Sequence, residues 1–227
     1  MTEKTPAILA IDTATSLLRL AVQFGDDRLV KSEEDAGRSH GQMITRKIEN
    51  VVESSGAKVS DLTGLVVSTG PGSFTGLRIG IAAAKGLATA LQIPLVGINL
   101  FDLAVDKLGL DQDPVSLIVP FKRDEVFVCP ITNGVYDVAT VASIPTDSIG
   151  HLFERGKVAV IGLTPQAAAA WTQVGDSPVL EYDASDLLRL GQERIHAGEI
   201  PDIDDLEPLY IMKSQAEINF DKRQQNN

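Results

Sequence analysis

The chain has 227 residues, 44% hydrophobic and 22% charged, a composition that suits a globular α/β protein with enough length to bury a sizeable core. Its net charge of −11 argues against unaided binding of nucleic acid, which depends on Lys and Arg neutralising phosphates. Cys129 is the only cysteine, which excludes an intrachain disulfide, and "MTEKTPAILAID" lacks the long apolar stretch of a signal peptide, so the chain reads as soluble and cytoplasmic.

Three strands open the chain, "AILAID", "LLRLAVQF" and "RLVKSEE", the last two joined at Gly25 to Asp27 by residues that suit a hairpin turn. A helix is predicted from about Ser39 to Ser55. Ser39 and Gln42 match an S-x-x-Q capping box, Gly56 suits the position after the helix, and Ile44, Ile48, Val51 and Val52 form an apolar stripe. The strand "GLVVST" follows, then the loop "GPGS", a helix from about Phe74 to Gln92, and the strand "PLVGI". After the junction "GLDQDP" a similar order begins again. "VSLIVPF", "EVFVCPI" and "VYDVATVAS" read as strands with a turn at "TNG". A short helix near Thr146 to Glu154, the strand "KVAVIG", the helix "PQAAAAWTQ", the strand "PVLE" and a helix from Ser185 to Ala197 complete the half. Three strands, helix, strand, helix, given twice, predict a duplicated α/β architecture. The halves cover 1–108 and 109–215, and the polar tail 216–227 has nothing to bury and reads as disordered.

The Gly-rich loop before the second long helix invites a phosphate reading, which its spacing does not support. A Walker A loop requires Lys-Ser/Thr after its last glycine, where Leu77 and Arg78 follow Gly76. A dinucleotide fingerprint begun at Gly70 and Gly72 requires glycine where Thr75 stands. A nucleophile elbow around Ser73 meets Pro71 and Thr75 in place of its glycines, so Ser73 is better read as a helix cap. His40, His151 and His196 are the only histidines, and His40, in the first turn of its helix, is expected at the surface. Asp12, Thr13, Thr15 and Ser16 in "AIDTATS" offer either phosphate ligands or a local Asx or Ser/Thr turn.

Gly72, Gly76, Gly80, Ala84 and Ala88 recur every four residues and give the second helix a ridge almost bare of side chains. Such a ridge admits close packing, against the chain's own elements or against a helix of another chain. Arg78, a cation in the first helical turn, opposes the helix dipole and calls for an anionic or otherwise specific contact.

"ILAIDTAT", "SHGQMI" and "GPGSFTGLRIGIAAAKGLA" together resemble the bacterial TsaB (YeaZ) family, strongly over residues 7 to 104 and more weakly at "KRDEVFV" and "EPLYI". The resemblance implies a duplicated actin-like fold of the sugar kinase/Hsp70/actin superfamily. It also implies a non-catalytic role beside a TsaD-like subunit and a TsaE-like ATPase in making threonylcarbamoyladenosine on tRNA, with homodimers when alone and tRNA contacted only through the complex. Leu100 and Ala104 stand where TsaD-like chains carry metal-binding histidines, and neither side chain can ligate iron or zinc, so no metal is expected. Ala14 replaces the glycine of the superfamily's first phosphate loop, which weakens the case for an independent ATPase. By carry-over the partner or dimer interface falls on Ile44, Ile48, Gly76, Arg78, Gly80, Ile81 and Ala84. Candidate nucleotide contacts are Asp12, Thr13, Gly70, Gly72 and Ser73, for ATP or ADP held at a composite site with the TsaD-like subunit. The alternatives are a nucleotide-binding ATPase or transferase-like enzyme of the same superfamily and, further off, a peptidase. Met212 stands where the family commonly has arginine, which puts C-terminal contacts in question.

Overall fold

The computed structural model describes residues 5–37, 39–109, 114–121, 124–153, 156–163 and 177–212. β1 (Ala7–Asp12) is apolar along most of its length and buried on both faces, which makes it a central strand. β2 (Leu17–Phe24) and β3 (Arg28–Asp35) form an antiparallel hairpin in full register, turning at Gly25 with φ +62°, and β3 alternates polar residues outward as the edge. β4 (Gly64–Gly70) and β5 (Leu95–Asn99) add parallel to β1 and to each other, giving the order β3-β2-β1-β4-β5.

The second sheet repeats this plan. β6 (Val115–Pro120) is central, β7 (Glu125–Thr132) pairs antiparallel with it, and β10 (Lys157–Ile161) and β11 (Val179–Leu180) extend it in parallel. The duplicated architecture expected from the sequence is thus present in the strand order itself. The third position differs. "VYDVATVAS" is not one strand but β8 (Val135–Tyr136), a 3-10 turn at Val138–Thr140, and β9 (Ala142–Pro145), because the Asp137 carboxylate accepts from the Ala139 amide and turns the chain. β7 enters β8 through Asn133 and Gly134, both at positive φ, as a two-residue hairpin turn requires.

α1 (His40–Ser54) and α2 (Phe74–Leu91) cover one face of the first sheet, burying Ile44, Ile48, Val51 and Val52 with Ile81, Ala84 and Ala88. The predicted capping box on α1 does not form. Ser39 sits at φ −101°, ψ 11°, outside the extended range from which a cap side chain reaches back, and only its carbonyl serves, accepting from the Gln42 and Met43 amides. Gly56 does close the helix, at φ +86°. His40 departs from its expected surface position: it is 3% exposed, on the same side of the helix as Ile44.

α3 (Leu100–Leu108), absent from the sequence reading, follows β5 without a break, and the Asn99 side chain caps it by accepting from the Phe101 and Asp102 amides, both at 2.9 Å. Leu100 and Ala104 face the core from this helix. α4 (Gly150–Phe153) packs on the second sheet through Leu152, beside Ile149 just before the helix. The alanine-rich helix and the tail fall outside the described residues.

α5 (Ala184–Ala197) comes late in the chain yet packs on the first sheet, opposite α1 and α2. Its approach is close: a Cβ on Gly191 would overlap the Val66 side chain of β4. One continuous core therefore runs from Ile8, Ala10 and Val66 through Phe101 and Leu187 to Leu117, Phe127 and Ala159 of the second sheet. Among the described residues no helix is long and apolar enough to cross a membrane.

Candidate functional site

Two groups of sequence-predicted residues meet at one end of the first sheet, the turn after β1 and the N-terminal half of α2. Ser73 caps α2 by accepting from the Gly76 amide at 3.2 Å, and its own amide donates to the Ala14 carbonyl at 2.7 Å. Gly70, at φ +94°, supplies the conformation that turns β4 into this loop. The glycine ridge lies directly against the β1–β2 turn. A Cβ on Gly72 would overlap the Ala14 carbonyl, one on Gly76 the Thr13 carbonyl, and one on Gly80 the Thr13 hydroxyl. The ridge is thus occupied within the chain, and the glycines let α2 approach the turn backbone.

That geometry sorts the carried-over interface residues. Ile44, Ile48, Gly76, Gly80, Ile81 and Ala84 are buried, whereas Arg78 is exposed. The outward face of α2 instead shows Arg78, Ala82, Gly86 and Ala90, again four apart and all exposed, and a Cβ on Gly86 meets nothing within 4 Å. Half-buried Ile79, Ala83 and Leu87 of α2 and Met43 of α1 flank it. The ridge read from the sequence is the inward row; the outward row repeats every four residues too, so periodicity does not distinguish them, and Arg78 is the carried-over residue that lies on it.

Arg78 finds its specific contact in aromatic rings rather than an anion. Its guanidinium carbon lies 3.9 Å from the Phe74 ring centroid and 5.6 Å from that of Tyr210, and its Nε donates to the Tyr210 hydroxyl at 2.7 Å. Tyr210 is brought there because the Leu209 amide donates to the Thr69 carbonyl at the end of β4. Met212, where an arginine was expected, packs against the core with Ile211.

The second set is centred on Asp12, fully buried at the end of β1. One carboxylate oxygen accepts from the Ala14 amide at 2.9 Å, the Asx-type turn that the sequence offered. The other accepts from Arg19 Nη1 and from the Tyr182 hydroxyl, each at 3.1 Å. Arg19 stands opposite Asp12 on β2 and opposite Glu33 on β3, and its Nε donates to Glu33 at 2.7 Å. Burial alone would lower the Arg19 guanidinium, but Tyr182, Asp12 and Glu33 together hold it above its ordinary value. The Tyr182 phenol is held well above 10.0 by burial first and the Asp12 charge second, so it remains a donor. Arg19 and Tyr182 were missed. A lone arginine in the apolar strand "LLRLAVQF" was a readable signal for a buried pair, whereas Tyr182 arrives from 170 residues away.

Asp12 and Thr13 are thus buried, with the Asp12 carboxylate hydrogen-bonded within the chain, and Gly70, Gly72 and Ser73 are used in seating α2. Of the nucleotide candidates, none presents an unpaired charged side chain at this turn.

The family model of TsaD, tRNA N6-adenosine threonylcarbamoyltransferase, matches residues 32–161, more than half of the chain. The tRNA threonylcarbamoyladenosine biosynthesis protein TsaB of Escherichia coli K12 is 29% identical over 229 residues, covering 92% of this chain and 96% of that protein. The chain belongs to the TsaB/YeaZ branch of the TsaD family. In fold it is similar to YeaZ from Pseudomonas aeruginosa, with a TM-score of 0.67 at 23% identity over 90% of this chain and 99% of that one. It is similar also to the ethanolamine utilization protein EutJ from Carboxydothermus hydrogenoformans, with a TM-score of 0.50 at 12% identity, covering 84% and 90%. The fold is the duplicated, actin-like α/β architecture expected from the sequence.

Proposed function

We propose that this chain is the non-catalytic assembly subunit of a tRNA threonylcarbamoyladenosine synthesis complex, pairing with a TsaD-type transferase and helping to seat a TsaE-type ATPase. Its family ties it to tRNA threonylcarbamoyladenosine biosynthesis. The observation that carries the pairing is the outward row of α2, where Ala82, Gly86 and Ala90 follow Arg78 as a strip of small side chains flanked by apolar ones, against which a partner helix can approach closely. Ile44, Ile48, Gly76, Gly80, Ile81 and Ala84 support that face from beneath, and Arg78 is the member of the carried-over set that touches the partner. With no partner present, the same face joins two copies of the chain. Contact with tRNA runs through the complex, in keeping with a net charge of −11.

Reconstitution tests this reading. A TsaD-type transferase, a TsaE-type ATPase, a threonylcarbamoyl donor and unmodified tRNA are combined with and without the chain, and the nucleosides are analysed by mass spectrometry. The modified adenosine is expected only when the chain is added, and calorimetry of the chain alone with ATP and Mg²⁺ is expected to show no binding. Full modification without the chain, or ATP turnover by the chain alone, would defeat the proposal.

A further inference from the structure

The chain passes from the second sheet to the first through Glu181, Tyr182 and Asp183, between β11 and α5. Two of these three residues are fastened to the β1–β3 side of the first sheet. Asp12, Arg19 and Glu33 stand in one row across β1, β2 and β3, with charges alternating negative, positive, negative. Tyr182 closes the row from the other half: its hydroxyl donates to Asp12 and accepts from Arg19, each at 3.1 Å, and its ring lies 4.6 Å from the guanidinium carbon. One residue further, the Asp183 carboxylate accepts from Lys31 Nζ of β3 at 2.7 Å and from the Ser185 amide of α5 at 2.7 Å. The two attachments are not equivalent. Lys31 and Asp183 are half-exposed, and such a pair contributes little. Asp12 is fully buried and the Arg19 side chain is 5% exposed, so their partners cannot be exchanged for water without cost.

We propose that Asp12, Arg19 and Tyr182 form an internal latch that fixes β11 and the start of α5 on the β1–β3 strands, and that Asp12 is committed to this latch rather than to a ligand. The latch gives the chain one fixed arrangement of its two sheets by its own side chains. It goes beyond the pairing described above and does not depend on it, since none of its residues lies on α1 or α2.

Hydrogen exchange read by mass spectrometry tests the latch on the full chain, comparing wild type with Tyr182→Phe, which keeps the ring and removes only the hydroxyl. Amides of residues 17–35 and 179–187 are expected to exchange about tenfold faster, the size of one hydrogen bond to a charged group, while those of α1 and α2 keep their wild-type rates. Lys31→Ala is expected to change the same segments by roughly two- to threefold, as an exposed pair allows. Unchanged exchange in both segments, an equal rise throughout the chain, or a larger effect from Lys31→Ala than from Tyr182→Phe would each overturn the latch.

Discussion

Replacing Gly76 by alanine is expected to destabilise the chain by about 3 kcal/mol, although alanine is the better helix former. The added methyl would overlap the Thr13 carbonyl oxygen, an atom of a turn held on one side by Asp12 and on the other by Ser73, so neither backbone can give way cheaply. Gly86→Ala is the matched control. Its Cβ meets open space, so only the helix-propensity gain of about 0.5–1 kcal/mol should appear. Urea denaturation of the two variants measures both effects. A neutral Gly76→Ala would mean that the ridge does not seat α2 on the turn. For the same reason a bulky residue at Gly80 is a poor probe of partner binding, because it would collide with Thr13 before reaching any partner.

The second large effect is expected at Arg19. Arg19→Met keeps most of the packing but leaves the buried Asp12 carboxylate without its cation, a loss of about 3–5 kcal/mol for pairs of this kind. Asp12 retains the Tyr182 hydroxyl and the Ala14 amide, which favours the lower end. For a chain of this length that corresponds to a fall in melting temperature of roughly 6–12 °C. Adding Asp12→Asn to Arg19→Met removes the orphaned charge, so the double variant should be more stable than Arg19→Met alone. Calorimetric melting of wild type, both single variants and the double variant completes the cycle. Additive losses would mean that the two charges do not act as a pair.

What the sequence revealed and what it withheld divide along physical lines. The succession of elements and their duplication were readable because β1, β4, β6 and β10 are short apolar runs bounded by Gly, Pro and polar turns. The cap at Ser73 was readable because capping is local. α3 escaped notice because "NLFDLAVDKL" follows β5 with no intervening loop, although Asn99 with Asp102 three residues later was a usable start signal. The Ser39 box failed because the motif fixes residue types and not the backbone angles that aim the hydroxyl. His40, by contrast, was assigned to the surface from its place in a first turn, whereas tertiary packing decided its burial. The site divides in the same way. Asp12 and the glycines were legible one residue at a time. The direction of the ridge, the contact of Arg78 with both Phe74 and Tyr210, and the closing of the Asp12 row by Tyr182 all depend on contacts between distant parts of the chain.

The proposed pairing runs through the outward face of α2, and Gly86→Leu probes that face, since the position is exposed and its Cβ direction is open. Wild type and variant are each mixed with the TsaD-type transferase and resolved by size-exclusion chromatography with light scattering, after circular dichroism has confirmed that both are folded. Wild type is expected to co-elute with the transferase, and the folded Gly86→Leu chain to elute separately. Co-elution of Gly86→Leu at the wild-type ratio would contradict the proposed pairing.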